Sequence, residues 1–348
     1  MGWRRKQRRV KRLKTPTKRL LFKAAISLGL IVALLVKVDL AGFWRSLRAV
    51  DPLLFGFSCF LLAIQQVLMA VSWGVLLRAK DARVPYRQVI YAHVVGNFFG
   101  TFMPTSLAID AVRAYSLSRY LKSGVDAASS IFVVRAAGFL VLFILALVFA
   151  IPIVRMTGRQ DFFWGLLIIF STFLSAIIAV YYRRTYELVE KFCRFVGVKG
   201  IFEKLHYFRL SLLDYSRRHL TLIYLAALTV VYQILGIVVV YLIGLSLNIS
   251  TPLSYYFSLL PVITVITIAP VSIAGLGVRE SSFVYLFSMA GATPAQAFSL
   301  SLLMFFQSLL MALAGGLAYW TRGSRMEPKP VAASEALMSP RLDGLPET

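Results

Sequence analysis

Five charged side chains sit inside otherwise apolar stretches of this 348-residue sequence: Asp110, Arg113, Arg135, Arg279 and Glu280. An ionised group at bilayer depth costs about 2.5–3.5 kcal/mol on insertion scales, so such groups mark ligand sites, ion paths or buried pairs. Four of the five belong to or adjoin a phrase written twice. PTSLAIDAVR at 104–113 and PVSIAGLGVR at 270–279 agree at five of ten positions. In each copy a proline, Pro104 or Pro270, is expected to break a helix. The helix that restarts then offers unsatisfied N–H groups and a partial positive charge. Arg113 and Arg279 fall in those first turns, and Gly275 and Gly277 permit close backbone approach. Phosphate binding suits this arrangement, because Arg offers a planar fork of donors beside a helix start. Asp110 and Glu280 would hold the arginines or titrate. An equally weighted reading is structural: Asp110 caps a helix and pairs with Arg113, while Glu280 pairs with Arg279 or complements the helix dipole.

Supporting candidates are polar residues on apolar segments. Arg135, within SSIFVVRAAG, either snorkels to the inner surface or points at the first copy of the phrase. His93, Asn97 and Gln307 read as interhelical hydrogen-bonding groups rather than ligands. No GxxxxGK[ST] phosphate loop occurs, and no His-Cys-carboxylate cluster has metal-site spacing. The longest polar stretch before the C-terminus, 183–219, has 37 residues, too few for a catalytic domain. The expectation is a non-enzyme with no catalytic residue, cofactor or metal.

The elements that position these groups follow from composition. Hydrophobic residues make up 59% of the chain, and the mean hydropathy is +0.75. Several apolar runs reach the roughly 17–25 residues that cross a bilayer as a helix. The fold class is therefore an all-α polytopic membrane protein, with spans expected at about 20–38, 53–77, 127–153, 162–182, 220–246 and 295–320. AGFWRSLRAV (41–50) puts Phe43, Trp44, Leu47 and Val50 on one face and reads as a short interfacial helix. The two copies of the phrase fit poorly as crossings. A helix from Gln88 to Phe102 covers only about 22 Å at 1.5 Å per residue before Pro104. The economical reading is six full spans plus two re-entrant hairpins, 88–122 and 255–290.

Charge sets the expected orientation. Eleven of the 38 basic residues lie between Arg4 and Lys23, and nine more between Arg183 and His219. Lys- and Arg-rich short segments stay in the cytoplasm. With two hairpins, every strongly basic segment falls inside, including the interfacial segment 183–219 and the tail 1–19, and so does the Pro-, Ala-, Ser- and Glu-rich tail 323–348, which reads as disordered. The hairpins then open to opposite sides, an inverted repeat of the kind found in many secondary transporters. The formal net charge of +23 is explained by this placement, so no nucleic-acid partner is expected. Cys59 lies in an apolar span and Cys193 in a basic segment, so no disulfide framework is indicated.

The order GNFFGTFMPTSLAIDAVRAY, FVVRAAGF, APVSIAGLGVRE, AGATPAQAFSLSLL resembles the lysylphosphatidylglycerol synthase transmembrane (flippase-like) family over nearly all of residues 18–322. The resemblance implies a multi-pass domain of the cell membrane. Family members include the membrane half of enzymes that lysinylate phosphatidylglycerol and then move that lipid across the bilayer, and many stand-alone proteins. Pro104, Asp110 and Arg113 match the family's first motif, although Ala108 and Ile109 replace its glycines. Gly275, Gly277, Arg279 and Glu280 match the second hairpin's pattern, while Val134 and Gln307 stand where the family often has an acid and an arginine. The lysyl-transferring domain is missing, so no synthesis of lysyl-lipid is expected. The function expected is binding and translocation of an anionic lipid or lipid-linked precursor, with anionic-headgroup lipids and lipid-biosynthetic enzymes as partners. The alternatives are a secondary transporter of a small anionic solute and a non-transporting scaffold for lipid or envelope biosynthesis.

Overall fold

The computed structural model describes residues 40–79, 84–102, 106–117, 124–158, 160–182, 187, 199–268, 275 and 277–322. The expected first span, both tails, Pro104, Pro270 and Cys193 lie outside the described residues. Twelve helices and no strand occur among the described residues: α1 (Leu40–Arg48), α2 (Pro52–Ala79), α3 (Tyr86–Phe102), α4 (Ser106–Leu117), α5 (Gly124–Val148), α6 (Ala150–Thr157), α7 (Gln160–Tyr181), α8 (Lys199–Ser216), α9 (His219–Ser246), α10 (Leu253–Ile268), α11 (Val278–Met289) and α12 (Pro294–Arg322).

Segments within α2, α5, α9 and α12 are long and apolar enough to cross a membrane, whereas the apolar parts of α7 and α10 are shorter. Helices suit lipid because they satisfy every backbone group internally. Large apolar side chains point outward along them, such as Phe57, Phe60, Ile64 and Val67 on α2 and Leu220, Ile223, Tyr224 and Val231 on α9. On a soluble protein such stripes would be a liability; here they are the surface that meets acyl chains. The chain is a multi-pass membrane protein.

Local sequence sets several ends. Asp51 caps α2, its Oδ1 accepting from the N–H groups of Leu53 (2.8 Å) and Leu54 (3.2 Å), with Pro52 at the first helical position. Thr293 and Gln296 exchange reciprocal bonds at the start of α12, a capping box written as TPAQ. The span expected over 127–153 instead divides. α5 ends at Val148 and α6 starts at Ala150. Pro152 has no N–H to return to the Val148 carbonyl, which removes the bond that would carry one helix through. Gly158, at φ 65°, then closes α6 in the left-handed conformation.

Two apolar clusters make the core. One joins α5, α7, α9, α10, α11 and α12, with Tyr256, Phe283 and Phe287 at its heart. The other joins α2, α3, α5, α8 and α9 around Trp73, Leu76 and Leu117 of α4. α1 is docked rather than merely interfacial: Phe43 is buried with its ring 5.4 Å from that of Phe298, while Trp44 faces outward. α8 likewise belongs to the core, with Leu212 and Tyr215 fully buried and Ser211 bonded to Ser129 of α5. At the two copies of the repeated phrase, α3 packs against α4 and α10 packs against α11. α12 runs between the pairs and contacts both α3 and α11.

Candidate functional site

The first pair of helices carries a polar chain beside the second apolar cluster. Asp110 stands in the middle of α4, so it is not the helix cap that one sequence reading expected. Its Oδ2 lies 2.7 Å from Arg135 Nε on α5, and its Oδ1 lies 3.6 Å from Arg113 Nη1 one turn along. Arg135 therefore points at α4, not away from it. Arg113 Nη2 donates to Asn97 Oδ1 of α3 at 2.8 Å, and Asn97 Nδ2 donates to Gln66 Oε1 of α2 at 3.0 Å. His93 Nε2 lies 2.9 Å from the same oxygen, and because that oxygen accepts, Nε2 carries the proton. Four helices are tied together by side chains that lipid alone could not solvate.

The second pair is built around a turn. Gly275 (φ 77°) and Gly277 (φ 84°) occupy backbone conformations that disfavour any side chain, which accounts for both glycines without invoking a ligand. Gly277 precedes α11, and its N–H donates to Glu280 Oε2 at 2.6 Å. Glu280 is 5% exposed, and its Oε1 accepts from Arg279 through Nη2 (2.5 Å) and Nε (3.1 Å). The carboxylate thus both pairs with Arg279 and serves the helix start. Arg279 Nε also reaches Ser301 Oγ of α12 at 3.3 Å, and the guanidinium stands 5.4 Å from the centre of the Phe305 ring. Among the described residues, nothing accepts from Arg279 Nη1.

That guanidinium opens on a cavity of about 300 Å³ walled by α2, α5, α9, α10, α11 and α12. Among the described residues lining it, Arg279 is the one charged residue, and Gln65, Tyr232, Gln233, Thr264, Thr267, Gln307 and Ser308 supply the other polar groups. Arg113 is not among them. The two arginines of the repeated phrase therefore do not both line this cavity. Tyr232 is the residue between, lining the cavity while its phenol lies within electrostatic reach of Arg113. Gln307 faces the cavity and donates to Ser58 Oγ at 2.9 Å, and Asn97 bonds Arg113 directly. Residues 20–316 match the family model of the lysylphosphatidylglycerol synthase TM region.

The chain belongs to that family. No curated protein and no solved structure matches the chain. Within this lysylphosphatidylglycerol synthase TM region, sequence reasoning missed Gln65, Gln66, Tyr232 and Gln233. The signal for the first two was present: a Gln-Gln pair at the centre of an apolar span, which lipid contact would not tolerate. Neighbours on a helix diverge by about 100°, so Gln65 serves the cavity wall and Gln66 serves the Asn97 chain. Tyr232 and Gln233 lacked such a signal, because a single Tyr-Gln step on α9 has many uses.

Proposed function

We propose that this protein binds an anionic lipid, or a lipid-linked precursor, by its phosphate and carries it across the cytoplasmic membrane, with no catalytic step. The observation that carries the reading is Arg279: a cation at a helix break, with one donor face uncommitted, opening on a mainly apolar cavity that carries several polar groups, inside a bundle of lipid-facing helices. A phosphate there completes the fork that Glu280 leaves half filled. Arg113, Asp110 and Arg135 form a second charged station, with Tyr232 between the two. The small volume gives some weight to a second reading, in which a small anionic solute uses the same cation.

Arg279→Gln is expected to weaken binding of phosphatidic acid by about tenfold or more, since a hydrogen bond to a charged group contributes about 1.5–3 kcal/mol. Arg279→Lys keeps the charge but loses the fork and should recover only part of it. Binding to the purified full chain in detergent is measured beside thermal melting. Unchanged binding with a lowered melting temperature, restored by Arg279→Gln with Glu280→Gln, would reduce Arg279 to a partner for Glu280.

The re-entrant arrangement belongs to the same proposal. The 17 residues of α3 and 12 of α4 pack against each other, as do the 16 of α10 and 12 of α11, and each limb is short for a full crossing. Both termini and segment 183–219 are placed in the cytoplasm, on the positive-inside argument. In a cysteine-free background, a cysteine at exposed Ser250 should label from outside intact cells, and cysteines at Ser123 and Arg217 should not. Outside labelling at position 123 would mean that α3 and α4 are full crossings.

A further inference from the structure

Asp110 and Arg113 stand one turn apart on α4, and each keeps one buried atom without a hydrogen-bond partner. Among the described residues, nothing donates to Asp110 Oδ1 and nothing accepts from Arg113 Nε. The 3.6 Å between Asp110 Oδ1 and Arg113 Nη1 makes an ion pair but is too long for a hydrogen bond. Asp110 Oδ2, by contrast, lies 2.7 Å from Arg135 Nε of α5. Together the three side chains carry one net positive charge. Two further titratable groups face them from the helices packed alongside, His93 of α3 and Tyr232 of α9, both within electrostatic reach of Arg113.

An unfilled donor on a net cation invites an anion, and an unfilled oxygen on a carboxylate leaves room for a proton. The two needs are linked. An anion held by Arg113 and Arg135 stands beside Asp110, and like charges at close range with little water between them disfavour each other. A proton on Oδ1 removes that repulsion and displaces no hydrogen bond, because the oxygen holds none. Glu280 offers no such place: its Oε2 accepts from the Gly277 N–H, and its Oε1 accepts twice from Arg279. His93 is unsuited as well. Its Nε2 proton already goes to Gln66, and a second proton would set another cation beside Arg113. The cluster is reached from the Arg135 side, where the side chain is 35% exposed against 11% for Arg113.

From this we infer that Asp110 is the proton carrier of a proton-coupled anion site: an anion that reaches Arg113 and Arg135 arrives with a proton, which binds Asp110 Oδ1. One anion and one proton are taken up together, so the cluster keeps one net positive charge before and after. An anion passing through this station is thereby coupled to the proton gradient and moves with no net charge. The inference rests on the anion-binding reading above and adds a driving force to it. A lipid headgroup and a free phosphodiester offer the same anion, so both are tested.

The experiment titrates the full chain in detergent with short-chain phosphatidylmethanol, and separately with dimethyl phosphate. Calorimetry near neutral pH, in buffers of different ionisation enthalpy, counts the protons taken up. Both probes are phosphodiesters that stay ionised throughout that range, so any proton gained belongs to the protein. Arg279→Gln removes the cavity's cation and isolates the Asp110 station. In that variant each bound phosphatidylmethanol should bring about one proton, and binding should tighten about tenfold for each pH unit lowered. Adding Asp110→Asn should keep the binding and abolish both the uptake and the pH dependence. Where Asp110→Asn does not fold, Asp110→Asn with Arg135→Gln carries the same comparison. Binding by Arg279→Gln without proton uptake, or no binding by it at all, would overturn this inference and leave anion binding at Arg279 standing. Uptake that persists after Asp110→Asn would overturn it too, by moving the proton to another group. No binding of either probe by the wild type would remove the anion-binding reading as well. Dimethyl phosphate matching phosphatidylmethanol in affinity and uptake would keep the coupling and make the anion a solute.

Discussion

Asp110→Asn should lower the stability of the folded protein by about 3–5 kcal/mol, the range for removing one partner of a buried ion cluster. The substitution keeps the shape of the side chain and removes the only carboxylate among the described contacts of Arg113. Arg113 and Arg135 would then face a neutral amide, although Asp110 now lies 2.7 Å from one guanidinium and 3.6 Å from the other. Two cations at bilayer depth repel each other and have little water to screen them. The disturbance should spread along the chain through Asn97 to Gln66 and His93, because Arg113 orients Asn97 at 2.8 Å. Adding Arg135→Gln to Asp110→Asn should return part of the lost stability by removing the second cation. Thermal melting in detergent tests both variants. A melting curve for Asp110→Asn that overlays the wild type would mean that lipid headgroups or water already neutralise the cluster.

Gly315→Ala should also be strongly destabilising, against the direction that helix propensity predicts. In a helix interior, Gly to Ala gains about 1 kcal/mol. At Gly315, however, a Cβ would overlap the Val94 carbonyl oxygen and stand 3.0 Å from its carbonyl carbon and 3.2 Å from Phe98 Cβ. These are mainly backbone atoms of α3, so no rotamer change relieves the contact, and the two helices must part. Overpacking of this kind costs about 1–3 kcal/mol and occasionally more. Small residues at such crossings let helix backbones approach, and lipid-facing bundles rely on that packing. α3 also carries His93 and Asn97, so the shift would disturb the polar chain. Gly316→Ala should be milder, because there the added methyl meets only the Phe98 ring, which can turn. Equal melting of Gly315→Ala and wild type would show that α3 and α12 do not approach this closely.

The sequence by itself determined the class and much of the layout. Apolar runs set the long helices, since lipid leaves the backbone no partner but itself. The ends of α2 and α12 were written locally, in Asp-Pro at 51–52 and Thr-Pro-Ala-Gln at 293–296, because a cap needs only residues a turn apart. The repeated phrase also pointed at the right charged groups, since charge at membrane depth is rare enough to be informative. Its internal glycines were read as room for a ligand, whereas the turn itself requires their positive φ.

Partnership was decided by tertiary structure alone. Arg135 had two directions open to it, and the packing of α5 against α4 aimed it at Asp110. Asp110 looked like a cap until the chain placed it mid-helix between two arginines. The twin arginines looked equivalent in sequence, yet Arg279 opens on the cavity and Arg113 is enclosed by Asn97 and Asp110. The acceptors that line the cavity come from α2, α9, α10 and α12, and no local pattern links them. A side chain's rotamer and neighbours are set by whichever helix packs against it, and spacing within one segment carries no record of that helix.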